Sequence, residues 1–134
     1  MEQRGSTVLY LAGPMTGIPE YNFPAFAAAR NALRAAGFVV YCPAESDIWN
    51  GFDPRKDKWT PELGRAAMQR NLTFITDADG IALLTDNPMW LQSRGLIPEL
   101  ALAAYLGLPV MAPDAWIGAA GLWPDVETKE GAES

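Results

Sequence analysis

The stretch TVLYLAGP, residues 7–14, decides the fold of this chain. Its apolar and β-branched residues followed by Gly-Pro predict a buried strand through about Ala12 and then a turn. Next, FPAFAAARNALRAAG predicts a helix that ends at Gly37, and FVVYCP, residues 38–43, repeats the strand-then-proline pattern. Strands that alternate with helices predict right-handed βαβ units and a mostly parallel sheet with helices on both faces.

The second half of the chain continues this alternation. TPELGRAAMQRNLTFITDAD predicts a helix with Thr60 as its N-cap and Pro61 at its first position. GIALLTD and LPVMAP predict the third and fourth strands, separated by the helix PELALAAYLG, which ends at Gly107, and DAWIGAAGLW predicts a short helix or a turn. The polar segment 44–60 shows no period and predicts a long loop, and such loops are often lids or binding loops.

Length and composition indicate one compact domain. The chain has 134 residues, of which 49% are hydrophobic and 19% charged, and this suits a single α/β domain over residues 1–123. Residues 124–134 carry four acidic residues and one lysine without apolar periodicity. This segment is therefore expected to be a solvated, flexible tail.

The same composition excludes several classes of protein. No apolar run reaches the roughly 18 residues of a membrane span, and no signal peptide is visible, so a cytoplasmic location is expected. A net charge of −6 without a Lys/Arg run argues against binding to polymeric nucleic acid. With Cys42 as the one cysteine and no histidine, we expect neither a metal nor a cofactor, and any chemistry must rest on carboxylates, hydroxyls or tyrosine.

Ligands of parallel sheets bind beyond the carboxyl ends of the strands. After the first strand comes AGPMTG, whose backbone N–H groups are candidates for phosphate binding, although the Lys of a P-loop and the spacing of GxGxxG are both missing. A plain strand-to-helix turn remains the alternative. The candidate substrate-binding residues here are Gly13, Pro14, Met15, Thr16 and Gly17.

A second candidate group surrounds the start of the helix after strand three. Ser93 and Gly95 precede that helix, where a serine either caps the helix or holds a phosphate. Pro98 belongs in the first turn, so Glu99 is either an ordinary helix-starting carboxylate or a group that faces a substrate. Tyr10 in strand one is either a core residue or presents its hydroxyl to the same crevice.

Three tryptophans lie in predicted loops, where large aromatic side chains are less easily explained as core. A flat nucleobase stacks well on such a ring. Packing in the core remains the other explanation. The candidates are Trp49, Trp59 and Trp90.

The ordered run YLAGPMTG, YNFPAFAAAR, VYCPAE, WLQSRGLIPE and LALAAYLGLPV resembles the nucleoside 2-deoxyribosyltransferase-like superfamily. The similarity covers roughly residues 10–111 and is greatest to a branch with the pattern AGPMTG, NPAE and GW-x-x-SRG-x-x-x-E, related to 2'-deoxynucleoside 5'-monophosphate N-hydrolases. The resemblance implies a three-layer, flavodoxin-like or Rossmann-like domain, usually a homodimer or a higher homo-oligomer, that cleaves the bond between sugar C1' and the base. It implies Glu99 as the nucleophile and Tyr10 near the reacting centre.

The resemblance also implies which substrate the site takes. Ser93 stands where the transferases carry an aspartate for the free 5'-hydroxyl and the monophosphate hydrolases carry a phosphate-binding serine. A carboxylate repels a 5'-phosphate, whereas a serine accepts one with Arg94 as a charge partner. Thr16 stands where a characterised hydrolase has arginine, so the AGPMTG loop is expected to hold phosphate less strongly.

One departure concerns the helix that begins at Pro61. Members of the superfamily carry an aspartate there that orients the sugar and the nucleophile, whereas this chain has Asn71, which cannot act as a base. Either Asn71 only positions the sugar, another carboxylate such as Asp86 substitutes, or the enzyme is weak or inactive. Cys42 likewise replaces the usual asparagine of the branch.

These inferences predict an N-glycosidase that hydrolyses a small-molecule (deoxy)nucleoside 5'-monophosphate. Glu99 would attack C1', and water would release the sugar phosphate. One alternative is a nucleoside 2-deoxyribosyltransferase, in which a second base replaces water. The other is a nucleotide-binding protein without catalysis.

Overall fold

The computed structural model describes residues 6–120, which form a three-layer α/β fold around a four-stranded, all-parallel sheet. The strands are β1 (Val8–Ala12), β2 (Val39–Tyr41), β3 (Gly80–Leu83) and β4 (Val110–Met111), in the order β2-β1-β3-β4. The helices are α1 (Phe23–Ala35), α2 (Pro43–Trp49), α3 (Pro61–Thr76), α4 (Leu96–Leu106) and α5 (Pro113–Gly118), with short 3-10 segments at Pro19–Asn22 and Pro88–Gln92. This strand order is that of the first four strands of the flavodoxin-like arrangement.

Alternate side chains of β1 lie on opposite faces of the sheet. Leu9 and Leu11 pack into the cluster formed with α1 and α5, whereas Tyr10 and Ala12 belong to the cluster formed with α3 and α4. All four side chains are buried, as expected for a central parallel strand covered on both faces. The prediction of a parallel sheet with helices on both faces is thereby confirmed.

Most element boundaries agree with the sequence pattern. Thr60 caps α3, because its Oγ1 accepts a 3.1 Å hydrogen bond from the Leu63 N–H, and Pro61 is the first helical residue. Gly37 and Gly107 follow their helices with positive φ angles of 102° and 72°. The glycine and proline signals therefore located the ends of the long helices.

Two predictions about local structure were wrong. Residues 44–60 are not wholly a loop, because α2 occupies Pro43–Trp49. The helix that carries Glu99 begins at Leu96 with Gly95 as its N-cap, two residues before Pro98, and no side chain caps it. The backbone carbonyl of Ser93 instead accepts a 3.2 Å hydrogen bond from the Leu96 N–H.

The sheet approaches α5 closely at Gly80. The buried Trp116 donates its indole N–H to the Ile81 carbonyl at 2.8 Å, and a Cβ on residue 80 would lie 2.5 Å from the Trp116 ring. Glycine is therefore required where β3 begins. The predicted tail, residues 124–134, lies outside the described residues. Between residues 6 and 120, no helix combines the length and the apolar composition needed to cross a membrane.

Candidate functional site

A cavity of about 220 Å³ opens at the carboxyl edge of the sheet. It lies beyond β1 and β3, where the chain leaves neighbouring strands in opposite directions and where ligands of such sheets bind. Its lining combines apolar side chains from the β1–α1 connection and α3 with polar groups from α3 and α4. The lining residues are Gly13, Met15, Thr16, Tyr21, Phe23, Pro43, Trp59, Gly64, Met68, Asn71, Ser93, Gly95 and Glu99.

Glu99 is the buried carboxylate of this cavity, with only 6% of its surface exposed. The Tyr10 hydroxyl donates a 2.7 Å hydrogen bond to Glu99 Oε2, and the Asn71 side-chain amide donates to the same oxygen at 3.4 Å. Within residues 6–120, no group donates to Oε1. The structure thus brings Glu99, Tyr10 and Asn71 together and leaves one carboxylate oxygen without a protein partner.

Burial controls the ionisation of this pair. Desolvation raises the pKa of Glu99 from its ordinary value of 4.5 to about 7, against the opposing effect of the hydrogen bonds from Tyr10 and Asn71. Burial, together with the negative charge of Glu99, raises the pKa of Tyr10 well above 10. Tyr10 therefore remains a proton donor at neutral pH, while Glu99 titrates in the physiological range.

A second buried carboxylate lies on α2, and the sequence reasoning missed it. Asp47 is 3% exposed and accepts a 2.9 Å hydrogen bond from Arg70 of α3. Desolvation raises its pKa to about 6 although Arg70 opposes the shift, and its charge contributes to the raised pKa of Tyr10. The available signal was Pro43 followed by Glu45, a proline and an acid typical of a helix start, which indicates α2 but not that Asp47 is buried.

Two buried polar atoms of α3 lack hydrogen-bond partners among the described residues: Nε of Arg70, which pairs with Asp47, and Oδ1 of Asn71, which contacts Glu99 through its amide nitrogen. Such groups are rare in folded proteins, because each costs roughly 1–3 kcal/mol. Asn71 also lines the cavity, although its Oδ1 atom is itself buried.

The cavity continues outward into a larger hollow of about 710 Å³. Pro14 and Arg94 line only this outer hollow, and Arg94 is the one cationic side chain among the described residues that line either space. Thr16, Trp59, Gly64, Ser93 and Gly95 line both spaces and form the neck between them.

The AGPMTG turn has packing reasons for its shape. A Cβ on residue 13 would lie 2.9 Å from the Leu84 Cβ, so glycine lets the turn pass close to the end of β3. Gly17 adopts a positive φ of 85°, and Asn22 donates its side-chain amide to the Pro14 carbonyl at 3.0 Å. Four of the five candidate residues of this turn line the inner cavity, the outer hollow or both, whereas Gly17 only shapes the turn.

Three other candidates lie elsewhere. Trp49 is 76% exposed at the end of α2, and Trp90 packs on the core cluster of α3 and α4. Asp86 lines a separate depression with residues of α1 and α5, on the other face of the sheet from Glu99. Asp86 is therefore not placed to substitute for a carboxylate at position 71. Cys42 is buried, and burial raises the pKa of its thiol.

In the described part of the chain, no group of three or more Cys, Asp or Glu side chains is arranged to hold a metal ion. The polar side chains that line the inner cavity include the Glu99 carboxylate, the Asn71 amide and the hydroxyls of Thr16, Tyr21 and Ser93, and the Tyr10 hydroxyl contacts Glu99.

The fold and the cavity define a three-layer α/β protein with a buried carboxylate at the carboxyl edge of its sheet. The chain belongs to the family described as Domain of unknown function (DUF4406), whose model matches residues 7–112. No curated protein matches it.

Proposed function

We propose that this protein hydrolyses the N-glycosidic bond of a (deoxy)nucleoside 5'-monophosphate, with Glu99 as the nucleophile. The observation that carries the proposal is the Glu99 carboxylate: it lines the cavity, two hydrogen bonds hold its Oε2, and no described residue donates to its Oε1. The ordered motifs that resemble the nucleoside 2-deoxyribosyltransferase-like superfamily support the same role for Glu99.

In the proposed reaction, Oε1 of ionised Glu99 attacks C1' of the sugar through an oxocarbenium-like transition state. The C1'–N bond breaks, and its electron pair leaves with the base, which takes a proton from solvent. Water then attacks C1' of the glycosyl ester and breaks the bond between C1' and Oε1, so that Glu99 regains its charge, one proton of the water passes to solvent and the sugar phosphate departs. Tyr10 fixes the orientation of the carboxylate through Oε2, and the Asn71 amide donates to the same oxygen.

The lining of the two spaces supports a substrate with a phosphate. A phosphate beside the Glu99 carboxylate would be repelled, whereas the outer hollow offers Arg94 and its neck offers the hydroxyls of Thr16 and Ser93. The N-terminus of α4 offers fewer free N–H groups to a phosphate than an ordinary helix N-terminus does. Pro98 has no N–H, and the Leu96 N–H already donates to Ser93.

The test is chromatography of a panel of nucleoside 5'-monophosphates, ribose and deoxyribose forms included, after incubation with wild type and Glu99→Gln. We expect wild type to release free base from at least one nucleotide and Glu99→Gln to release none. If wild type binds a nucleotide by calorimetry but releases no base during long incubation, the protein is a non-catalytic nucleotide-binding protein. A second base added to the reaction separates base exchange from hydrolysis, because only exchange yields a new nucleotide.

The resemblance also implies a homodimer or a higher homo-oligomer, and we propose self-association on that ground. Sedimentation of the purified chain tests it, since a monomer at every concentration would contradict the proposal.

A further inference from the structure

The neck between the inner cavity and the outer hollow has an unusual construction. On one side it is formed by Trp59 and Gly64, and on the other by Thr16, Ser93 and Gly95. The inner cavity, at about 220 Å³, falls below the usual 300–1,000 Å³ of a ligand site. A nucleotide with C1' at Glu99 therefore has to extend through the neck.

Gly64 lies inside α3, where a glycine costs about 1 kcal/mol relative to alanine. Its φ angle is not in the left-handed region, so backbone conformation does not require glycine there. The indole of Trp59 packs closely against this position, since a Cβ on residue 64 would lie 3.1 Å from Nε1, tighter than an ordinary contact, and 3.9 Å from Cε2. The indole thus packs against α3 in the space that a side chain at residue 64 would fill.

Two further contacts hold Trp59 in place, one through its backbone and one through its ring. The Trp59 backbone N–H donates to the Tyr21 hydroxyl at 3.2 Å, and the Trp59 ring packs edge-on against Phe52 with 5.1 Å between centroids. Tyr21 itself lies in a run of three residues, Glu20 to Asn22, with positive φ angles of 53°, 54° and 65°. Each such residue costs roughly 1–3 kcal/mol, and strain of this kind concentrates at functional sites.

Gly64, Met68 and Asn71 follow one another along the face of α3 that lines the cavity. Seven residues of helix separate Gly64 from Asn71 by roughly 10 Å. The Trp59 and Gly64 part of the neck therefore lies about two helical turns along α3 from the Asn71 amide that contacts Glu99.

We propose that Trp59, seated on Gly64 and held by Tyr21, forms the wall of the neck that admits the 5'-phosphate of the substrate. Trp59 is the specificity-determining residue, and Gly64 and Tyr21 are positioning residues that act through it. This inference rests on the proposed function. It adds that the base and C1' occupy the inner cavity while the phosphate lies beyond the neck, toward Arg94.

The test is Gly64→Ala, whose Cβ would lie 3.1 Å from Trp59 Nε1, so that the indole has to shift at the neck. We expect KM and the calorimetric Kd for the nucleotide to rise about tenfold or more while kcat changes little. The corresponding nucleoside, which has no phosphate to pass the neck, should lose little affinity. Gly64→Ala/Trp59→Phe, which removes the atoms that clash, should regain most of the nucleotide affinity.

Gly118→Ala is the matched control, since a Cβ at the end of α5 meets nothing within 4 Å. Thermal unfolding of Gly64→Ala should show no loss of stability, because alanine favours the helix. Three results would overturn the proposed role of Trp59 at the neck. They are unchanged nucleotide affinity in Gly64→Ala, equal losses of affinity for nucleotide and nucleoside, and no rescue by Trp59→Phe. If wild type binds and cleaves neither ligand, the proposed function itself fails.

Discussion

The Tyr10 hydroxyl and the Glu99 carboxylate form a buried 2.7 Å hydrogen bond between residues 89 positions apart in the sequence. The bond joins the central strand β1 to the first turn of α4 at the edge of the sheet where ligands bind. Since burial keeps Tyr10 protonated and raises the pKa of Glu99 to about 7, the pair combines a fixed donor with a carboxylate that ionises near neutrality.

Tyr10→Phe removes the donor and keeps the ring. The hydrogen bond from Tyr10 lowers the pKa of Glu99, so its loss should move the acid limb of the kcat–pH profile to higher pH. Loss of orientation should also reduce kcat by up to about a hundredfold. Tyr41→Phe is the control, because Tyr41 stacks on Phe74 instead of contacting Glu99. An unmoved acid limb in Tyr10→Phe would argue against this role.

Glu99→Gln should stabilise the protein at pH 8 while abolishing base release. The folded-state pKa of about 7 lies above the ordinary 4.5, so the neutral carboxyl favours the folded state at low pH, and this advantage disappears as pH rises through 7. The cost of ionising buried Glu99 reaches about 3 kcal/mol at pH 8. Denaturant unfolding from pH 5 to pH 8 should therefore show a steeper loss of stability for wild type than for Glu99→Gln.

The slope should not vanish in the variant, because Asp47, with a pKa of about 6, contributes in the same direction. Equal pH dependence in the two proteins would mean that Glu99 is better solvated than its 6% exposure indicates.

Sequence patterns predicted the parts of this structure that depend on local signals. Residues 7–14 located β1 because both of its faces are apolar, and Thr60 with Pro61 located the start of α3. The same reasoning missed α2, because its inward residues include the polar Ser46 and Asp47, which interrupt the apolar period by which a buried helix face is recognised.

The candidate site, too, could be predicted only in part. Position beyond the strands pointed to Glu99, Ser93 and the AGPMTG turn, since topology alone brings those segments to one edge. The contact of Trp59 with Gly64 could not be predicted, because it depends on tertiary packing. A glycine in a helix carries no signal that a tryptophan from the preceding loop rests on it.

Asn71→Asp replaces the amide that donates to Glu99 Oε2 at 3.4 Å with a second carboxylate. Two like charges at this distance raise the pKa of at least one of them. We therefore expect the acid limb of the kcat/KM profile to move to higher pH and the activity at pH 7 to fall. Asn31→Asp on the exposed side of α1 is the control. A variant more active than wild type at every pH would contradict the repulsion and indicate that an aspartate at position 71 assists the reaction.

Gly80→Ala tests the packing that supports the site from the opposite face of the sheet. A Cβ on residue 80 would lie 2.5 Å from the Trp116 ring, and the indole cannot retreat easily because its N–H donates to the Ile81 carbonyl. Overpacking of this kind costs about 1–3 kcal/mol, so thermal unfolding should begin several degrees lower than in wild type. Gly118→Ala, with open space around its Cβ, should unfold like wild type. An unchanged midpoint for Gly80→Ala would mean that α5 moves away from β3 at little cost.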